Sequence, residues 1–145
     1  MSEGDVRLVS IVDDDESLRR SLRNLLMSVG FRVETFETAE DFLQSAHRGD
    51  TACLVLDLRM PGMNGLDLLV HLAATGPRIP AIILTAHSDD ETRRRTLQAG
   101  AVAFLGKPFQ GEALLGAVRG ALERGGSRSW PTAAAEGDDD DTARD

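Results

Sequence analysis

Four short stretches of this chain carry side chains that could do chemistry together: Asp13-Asp14-Asp15, Asp57, Thr85 and Lys107. Asp57 is embedded in VLDL, with apolar neighbours on both sides, and a carboxylate there is costly to bury unless something charged compensates. Asp13 to Asp15 follow the apolar run VSIV. Acids at the start of a helix are favoured by its dipole, which accounts for Asp15 and Glu16 but not for Asp57. Lys107 is the one lysine; the other fifteen basic side chains are all arginine. An ammonium is a compact point charge where a guanidinium is a wide planar fork, so a lysine suits a site that aims one cation at one oxygen.

The elements that must position these groups follow from two alternating periodicities. RLVSIV (7–12) reads as a strand, then Leu18, Leu22, Leu25, Leu26 and Val29 recur at helical spacing before Gly30 as a stop. FRVETF (31–36) is strand-like. Thr38 with Asp41 makes a capping box, opening a helix with Phe42, Leu43 and Ala46 on one face. ACLVLDL (52–58) is a continuous apolar run, as expected of a strand covered on both faces. Asn64 caps a helix carrying Leu66, Leu69, Val70 and Ala73, and AIILTA (81–86) is a second buried strand. Ser88 and Glu91 form another capping box on a helix that Gly100 closes. AVAFLG (101–106) is the last strand, and Leu114, Leu115, Val118 and Leu122 mark the last helix.

Five strands alternating with five helices predict an α/β fold, a parallel sheet with helices on both faces and right-handed crossovers. Strand order does not follow from the pattern. In the flavodoxin-like order 2-1-3-4-5, the ends of strands one and three meet at the switch point where ligands bind. Neighbouring strands lie about 4.8 Å apart, so Asp13, Asp14 and Asp57 would then converge. Clustered carboxylates raise one another's pKa, and a divalent cation removes the conflict. Oxygen-only ligands suit magnesium or manganese rather than zinc. Thr85 and Lys107 end the fourth and fifth strands and project from the same edge. Together they form a receptor for a phosphoryl group on Asp57, since carboxylates can attack phosphorus to give acyl phosphates.

Bulk properties bound the reading. The 145 residues suffice for one domain with a real core, and 41% hydrophobic with 28% charged residues is ordinary for a globular protein. The net charge is −8, and an acidic body is a poor nucleic-acid binder. Residues 1–124 read as the folded domain. Residues 125–145, with six acids against two arginines, the run Asp138 to Asp141, and Trp130, read as a flexible acidic tail. Cys53 is the only cysteine, which excludes an internal disulfide, and it reads as a small buried hydrophobe. No charged-then-apolar leader opens the chain and no apolar run reaches membrane-spanning length, so the expected location is cytoplasmic with no membrane partner.

IVDDDE, LVLDLRMPGMNGLDLL, ILTAH and FLGKPF, in that order, resemble the receiver domain of two-component response regulators, over roughly residues 6–124. DLRMP and the G-A-x-x-F run into KPF are most similar to FixJ-type receivers of the CheY-like superfamily. The resemblance implies the 2-1-3-4-5 order. It implies that Asp57 is phosphorylated by a histidine kinase or phosphotransfer protein, with Mg2+ as cofactor and Mn2+ able to substitute. It implies that Asp14 and Asp57 ligate the metal directly, Asp13 through water, and Arg59 through its backbone carbonyl. Lys107 would pair with the phosphoryl group, Thr85 would move to hydrogen-bond it, and Phe104 would turn inward. The Lys107–Pro108 bond would be cis. Phe104 stands where many relatives carry tyrosine, so a hydroxyl read-out there is absent. Arg59 and His87, two residues beyond Asp57 and Thr85, would flank the phosphoryl group and modulate its lifetime.

Two surfaces are expected to meet partners. Arg19, Arg20 and Arg23 on the first helix suit an acidic kinase bundle. The surface of helix four, strand five and helix five would serve a downstream protein or a homodimer. The sequence fits a single-domain response regulator that acts as a phosphoacceptor switch rather than an enzyme. The alternative is the receiver fragment of a FixJ-type transcription factor. A haloacid-dehalogenase-type phosphatase needs an acid two residues after its nucleophile, where Arg59 stands. A flavodoxin is disfavoured by the absence of tyrosine and by acids where the flavin phosphate would sit.

Overall fold

The computed structural model describes residues 7–46, 48–75, 79–86 and 89–127. His87, Ser88 and the tail from residue 128, including Trp130, lie outside the described residues. Strands β1 (Leu8–Val12), β2 (Arg32–Phe36), β3 (Thr51–Asp57), β4 (Ala81–Thr85) and β5 (Ala101–Gly106) form one parallel sheet in the order β2-β1-β3-β4-β5. Helices α1 (Glu16–Ser28), α2 (Ala39–Gln44), α3 (Gly65–Thr75), α4 (Asp90–Gln98) and α5 (Gly111–Ser127) alternate with the strands. The architecture is flavodoxin-like. No described helix is long and apolar enough to cross a membrane.

Because successive strand residues point to opposite faces, the sheet builds two cores. Val9, Ile11, Cys53, Val55, Ile82 and Leu84 pack with Leu22 and Leu26 of α1 and Leu114, Val118 and Leu122 of α5. Val12, Leu54, Leu56, Ala81 and Ile83 pack on the other face with Phe42 of α2 and Leu68 and Leu69 of α3. Each fully buried leucine or isoleucine contributes about 1.5–3 kcal/mol relative to exposure. β3 and β4 are buried on both faces, which is why they read as unbroken apolar runs. Two of the buried hydroxyls on this sheet satisfy one another: Ser10 Oγ and Thr51 Oγ1 lie 2.7 Å apart.

The helix boundaries have local causes. Asp15 caps α1 by accepting from the Leu18 amide, Thr38 caps α2 by accepting from the Asp41 amide, and Asn64 accepts from the Asp67 amide before α3. Gly30 and Gly100 end α1 and α4 with φ of 102° and 116°, a region that favours glycine.

Four sequence expectations need correction. α2 stops at Gln44 because Ser45 turns extended, so Ala46 is exposed in a turn rather than on the apolar face. In α3 the inward residues are Leu68 and Leu69 with Leu72 packed beside them, while Val70 is 56% exposed and Ala73 also faces solvent. The cap of α4 is Asp89, whose carboxylate accepts from the Thr92 amide, not Ser88. α5 runs to Ser127, so the Gly125-Gly126 pair falls within its last turn.

Candidate functional site

Sheet register assembles the site. Val12 pairs with Leu56 and Asp57 with Leu84, so Asp13 and Asp57 come off adjacent strands side by side. Thr85 pairs with Gly106, so Lys107 follows one step beyond it. The ladder continues past the strand ends: the Lys107 amide donates to the Thr85 carbonyl at 2.7 Å and the Leu58 amide to the Leu84 carbonyl at 2.9 Å. The Lys107–Pro108 peptide is cis.

One oxygen from each of Asp13, Asp14 and Asp57 lies within 4.8 Å of the others. Asp13 is fully buried, Asp57 is 5% exposed and Asp14 opens to solvent. Lys107 Nζ lies 3.2 Å from Asp13 Oδ2 and 3.3 Å from Asp57 Oδ1. One ammonium thus faces three carboxylates. Burial, then the charge of Asp13, pushes the Asp57 carboxyl from 3.8 up to about 6; Lys107 pulls the other way and Asp14 adds a further push upward. Burial alone would lower Lys107, but the combined pull and hydrogen bonds of Asp13 and Asp57 outweigh it and raise its pKa. The surplus negative charge and the all-oxygen donor set fit a hard divalent cation.

Several neighbours hold this cluster in place. Asp13 Oδ1 accepts from the Asp15 amide at 2.9 Å, the Asp13 amide donates to the Phe36 carbonyl at 3.1 Å, and Arg19 Nη1 donates to the Asp13 carbonyl at 2.7 Å. Gly65 begins α3 directly against Asp57: a Cβ there would sit 2.6 Å from the Asp57 carbonyl oxygen. Between them the loop carrying Arg59 is tied to α2, where Glu40 Oε2 accepts from the Met63 amide at 3.1 Å. Gly62 in that loop has φ of 75° with the Glu40 carboxylate close by.

The structure therefore brings Asp13, Asp14, Asp57 and Lys107 into one constellation, with Thr85 buried at the adjoining strand end. Phe104 lies on β5 opposite Ile83, half-buried against the core shared by α2 and α3. The Arg59 side chain is exposed in a cleft beside α4, and His87 lies outside the described residues. Sequence reasoning missed the contact of Lys107 with Asp13 and the supporting roles of Arg19, Gly65 and Glu40. Gly65 stands seven residues past an Asp–Leu pair at a strand end and had a legible signal, close backbone approach. Glu40 is twenty-three positions from its partner and left none.

Residues 9–119 match the response regulator receiver domain family. Nodulation protein W of Bradyrhizobium diazoefficiens is 48% identical over 117 residues, which are 81% of this chain and 52% of that protein. The transcriptional regulatory protein FixJ of Azorhizobium caulinodans is 40% identical over 116 residues, 80% of this chain and 55% of that one. Among solved structures, the response regulator StyR superposes with a TM-score of 0.78 at 47% identity, covering 84% of this chain and 62% of that one. The chain spans about half the length of the curated relatives it matches. With a family match across most of its length and the sheet order and acidic edge found above, this chain belongs to the response regulator receiver domain family.

Proposed function

We propose that this chain accepts a phosphoryl group on Asp57 from a histidine kinase or a histidine phosphotransfer protein, and that the modification switches its surface. The observation that carries the reading is the position of Lys107, bridging Asp13 and Asp57 inside a three-carboxylate cluster. In the transfer, an Asp57 oxygen forms a bond to phosphorus while the donor's phosphorus–nitrogen bond breaks, and its electron pair stays on the imidazole. The product is an acyl phosphate. Positioning and charge neutralisation are most of what such a transfer needs. Lys107 is already held where it can turn from the carboxylate to a phosphoryl oxygen.

Asp14 and Asp57 would hold magnesium directly, Asp13 through water and Arg59 through its carbonyl, with manganese as a substitute. When bound, the ion supplies positive charge against the carboxylates and the transferred group. Thr85 and Phe104 form the switch: the hydroxyl follows the phosphoryl group and the ring fills the space left behind. The surface of α4, β5 and α5 carries the change to a downstream protein or a second copy. With Arg59 where a phosphatase would need an acid, the site acts as a switch rather than a turnover enzyme.

The test is incubation with acetyl phosphate and magnesium, read by intact mass. Wild type gains one phosphoryl group and Asp57→Ala gains none; no gain in wild type, or equal gain in both, overturns the proposal. A second reading, that the chain is the receiver part of a longer DNA-binding regulator, is favoured by its spanning about half of the protein named transcriptional regulatory protein FixJ. Sequencing the reading frame past codon 145 separates the two: a stop codon supports the stand-alone switch, and coding for a helix-turn-helix supports the regulator.

A further inference from the structure

Beside the acidic cluster, and sharing the β3–α3 loop with it, a cleft of about 440 Å³ opens against α4. Leu58 and Met60 contribute apolar lining, and Arg59, Asn64, Thr92 and Arg95 line it with polar groups. Arg59 and Arg95 are exposed, and among the described residues neither guanidinium has a hydrogen-bond or ion-pair partner. Arg93 and Arg94, also exposed, extend the positive charge along α4. The other arginine cluster, on α1, is differently placed: Arg19 is committed to the Asp13 carbonyl and Arg20 to Glu16 at 2.9 Å.

The chain itself carries a matching segment. Residues 136–141 read EGDDDD, the densest acidic run in the sequence, while the two cleft arginines are unneutralised. Asp138 follows Ser127, the last described residue of α5, by eleven positions. Eleven extended residues span up to about 36 Å, against about 25 Å for the seventeen-residue helix α5. The cleft lies on the sheet face opposite α5, so the run must also round the sheet edge, and Asp141, fourteen positions past Ser127, extends the reach to about 46 Å. Asp89, Asp90 and Glu91 at the start of α4, and the site acids Asp13, Asp14 and Asp57, repel it from both flanks and leave the arginine end as its seat. Tethering makes the contact intramolecular, so weak individual ion pairs suffice at an effective concentration of about millimolar.

We propose that the cleft formed by Arg59 and Arg95 is a docking site for this chain's own acidic segment, residues 136–141. The contact does not depend on phosphorylation of Asp57, so its failure would leave the proposed function standing. The full chain permits a direct test because Cys53 is buried and its thiol is pushed up to about 12, so it resists labelling. A nitroxide on Ala143→Cys reports through paramagnetic broadening of backbone amide signals. In low salt the amides of residues 59–64 and 92–96 should broaden about twofold or more relative to 0.5 M salt, where screening shortens to about 4 Å. Replacing Asp138 to Asp141 with asparagine, or Arg59 and Arg95 with glutamine, should abolish the effect. The folding of both variants is checked by the unchanged remainder of the spectrum. Broadening that is uniform, that centres on α1, that survives the substitutions, or that appears only between differently labelled copies overturns the proposal.

Discussion

At Asp57 the fold keeps a proton that an unfolded aspartate would release. Its pKa rises from 3.8 to about 6 through burial and then the charge of Asp13. The sign of the consequence follows from proton counting. Between pH 4 and 6 the unfolded chain binds fewer protons at this group than the folded one, so stability falls as pH rises. The favourable contribution is complete below about 3.8 and lost once pH passes the folded value near 6. A shift of this size corresponds to on the order of 1–3 kcal/mol. Metal-free Asp57→Asn should therefore gain on wild type as pH climbs through this window, melting roughly 3–10 °C higher at pH 7.5. Millimolar magnesium should close most of that gap by stabilising wild type alone. Parallel melting curves across pH, with no response to magnesium, would contradict this reading of the site.

The elements that carry the site differ in how firmly they are held. The start of α3 is tight: a Cβ at Gly65 would meet Leu58 Cα at 3.0 Å as well as the Asp57 carbonyl, and neither backbone atom can yield. Gly65→Ala should destabilise by about 1–3 kcal/mol in urea denaturation and weaken magnesium binding in calorimetry. Gly116→Ala is the control, since nothing lies within 4 Å there and a mid-helix alanine should stabilise by about 0.5–1 kcal/mol. Equal effects of the two would refute the close-approach argument. The same elements show what the sequence made legible. AVAFLG and AIILT read correctly as strands because apolar runs bounded by glycine, proline and polar residues admit few alternatives. GLDLLVHLAAT did not reveal its face because apolar residues occupy most of its positions, so Leu66, Leu69, Val70 and Ala73 fit a helical stripe as well as the true pair Leu68 and Leu69. SDDET reads with Ser88 and Glu91 as its cap, but Asp89 is an equally good capping residue one position on, and backbone geometry, which the sequence does not carry, selects it. Strand order came from the resemblance, because periodicity carries no information about which strands pair.

At the scale of the whole molecule, charge is sorted by position. Acids gather at the carboxyl edge of β1 and β3, one ammonium reaches in from beyond β5, and arginines line α1 and α4 outside them. The sheet makes this possible by placing residues forty-four and ninety-four positions apart in sequence into a single cluster. An acidic edge whose carboxylates repel one another suits a cation and a transferred phosphoryl group, the chemistry proposed for Asp57. Its most direct measurement is chemical trapping after treatment with acetyl phosphate and magnesium. Borohydride reduces an aspartyl acyl phosphate to homoserine, which peptide mass mapping locates. Homoserine is expected at position 57 alone, dependent on magnesium. Homoserine at position 13 or 14, or none anywhere despite retained fold, would contradict it.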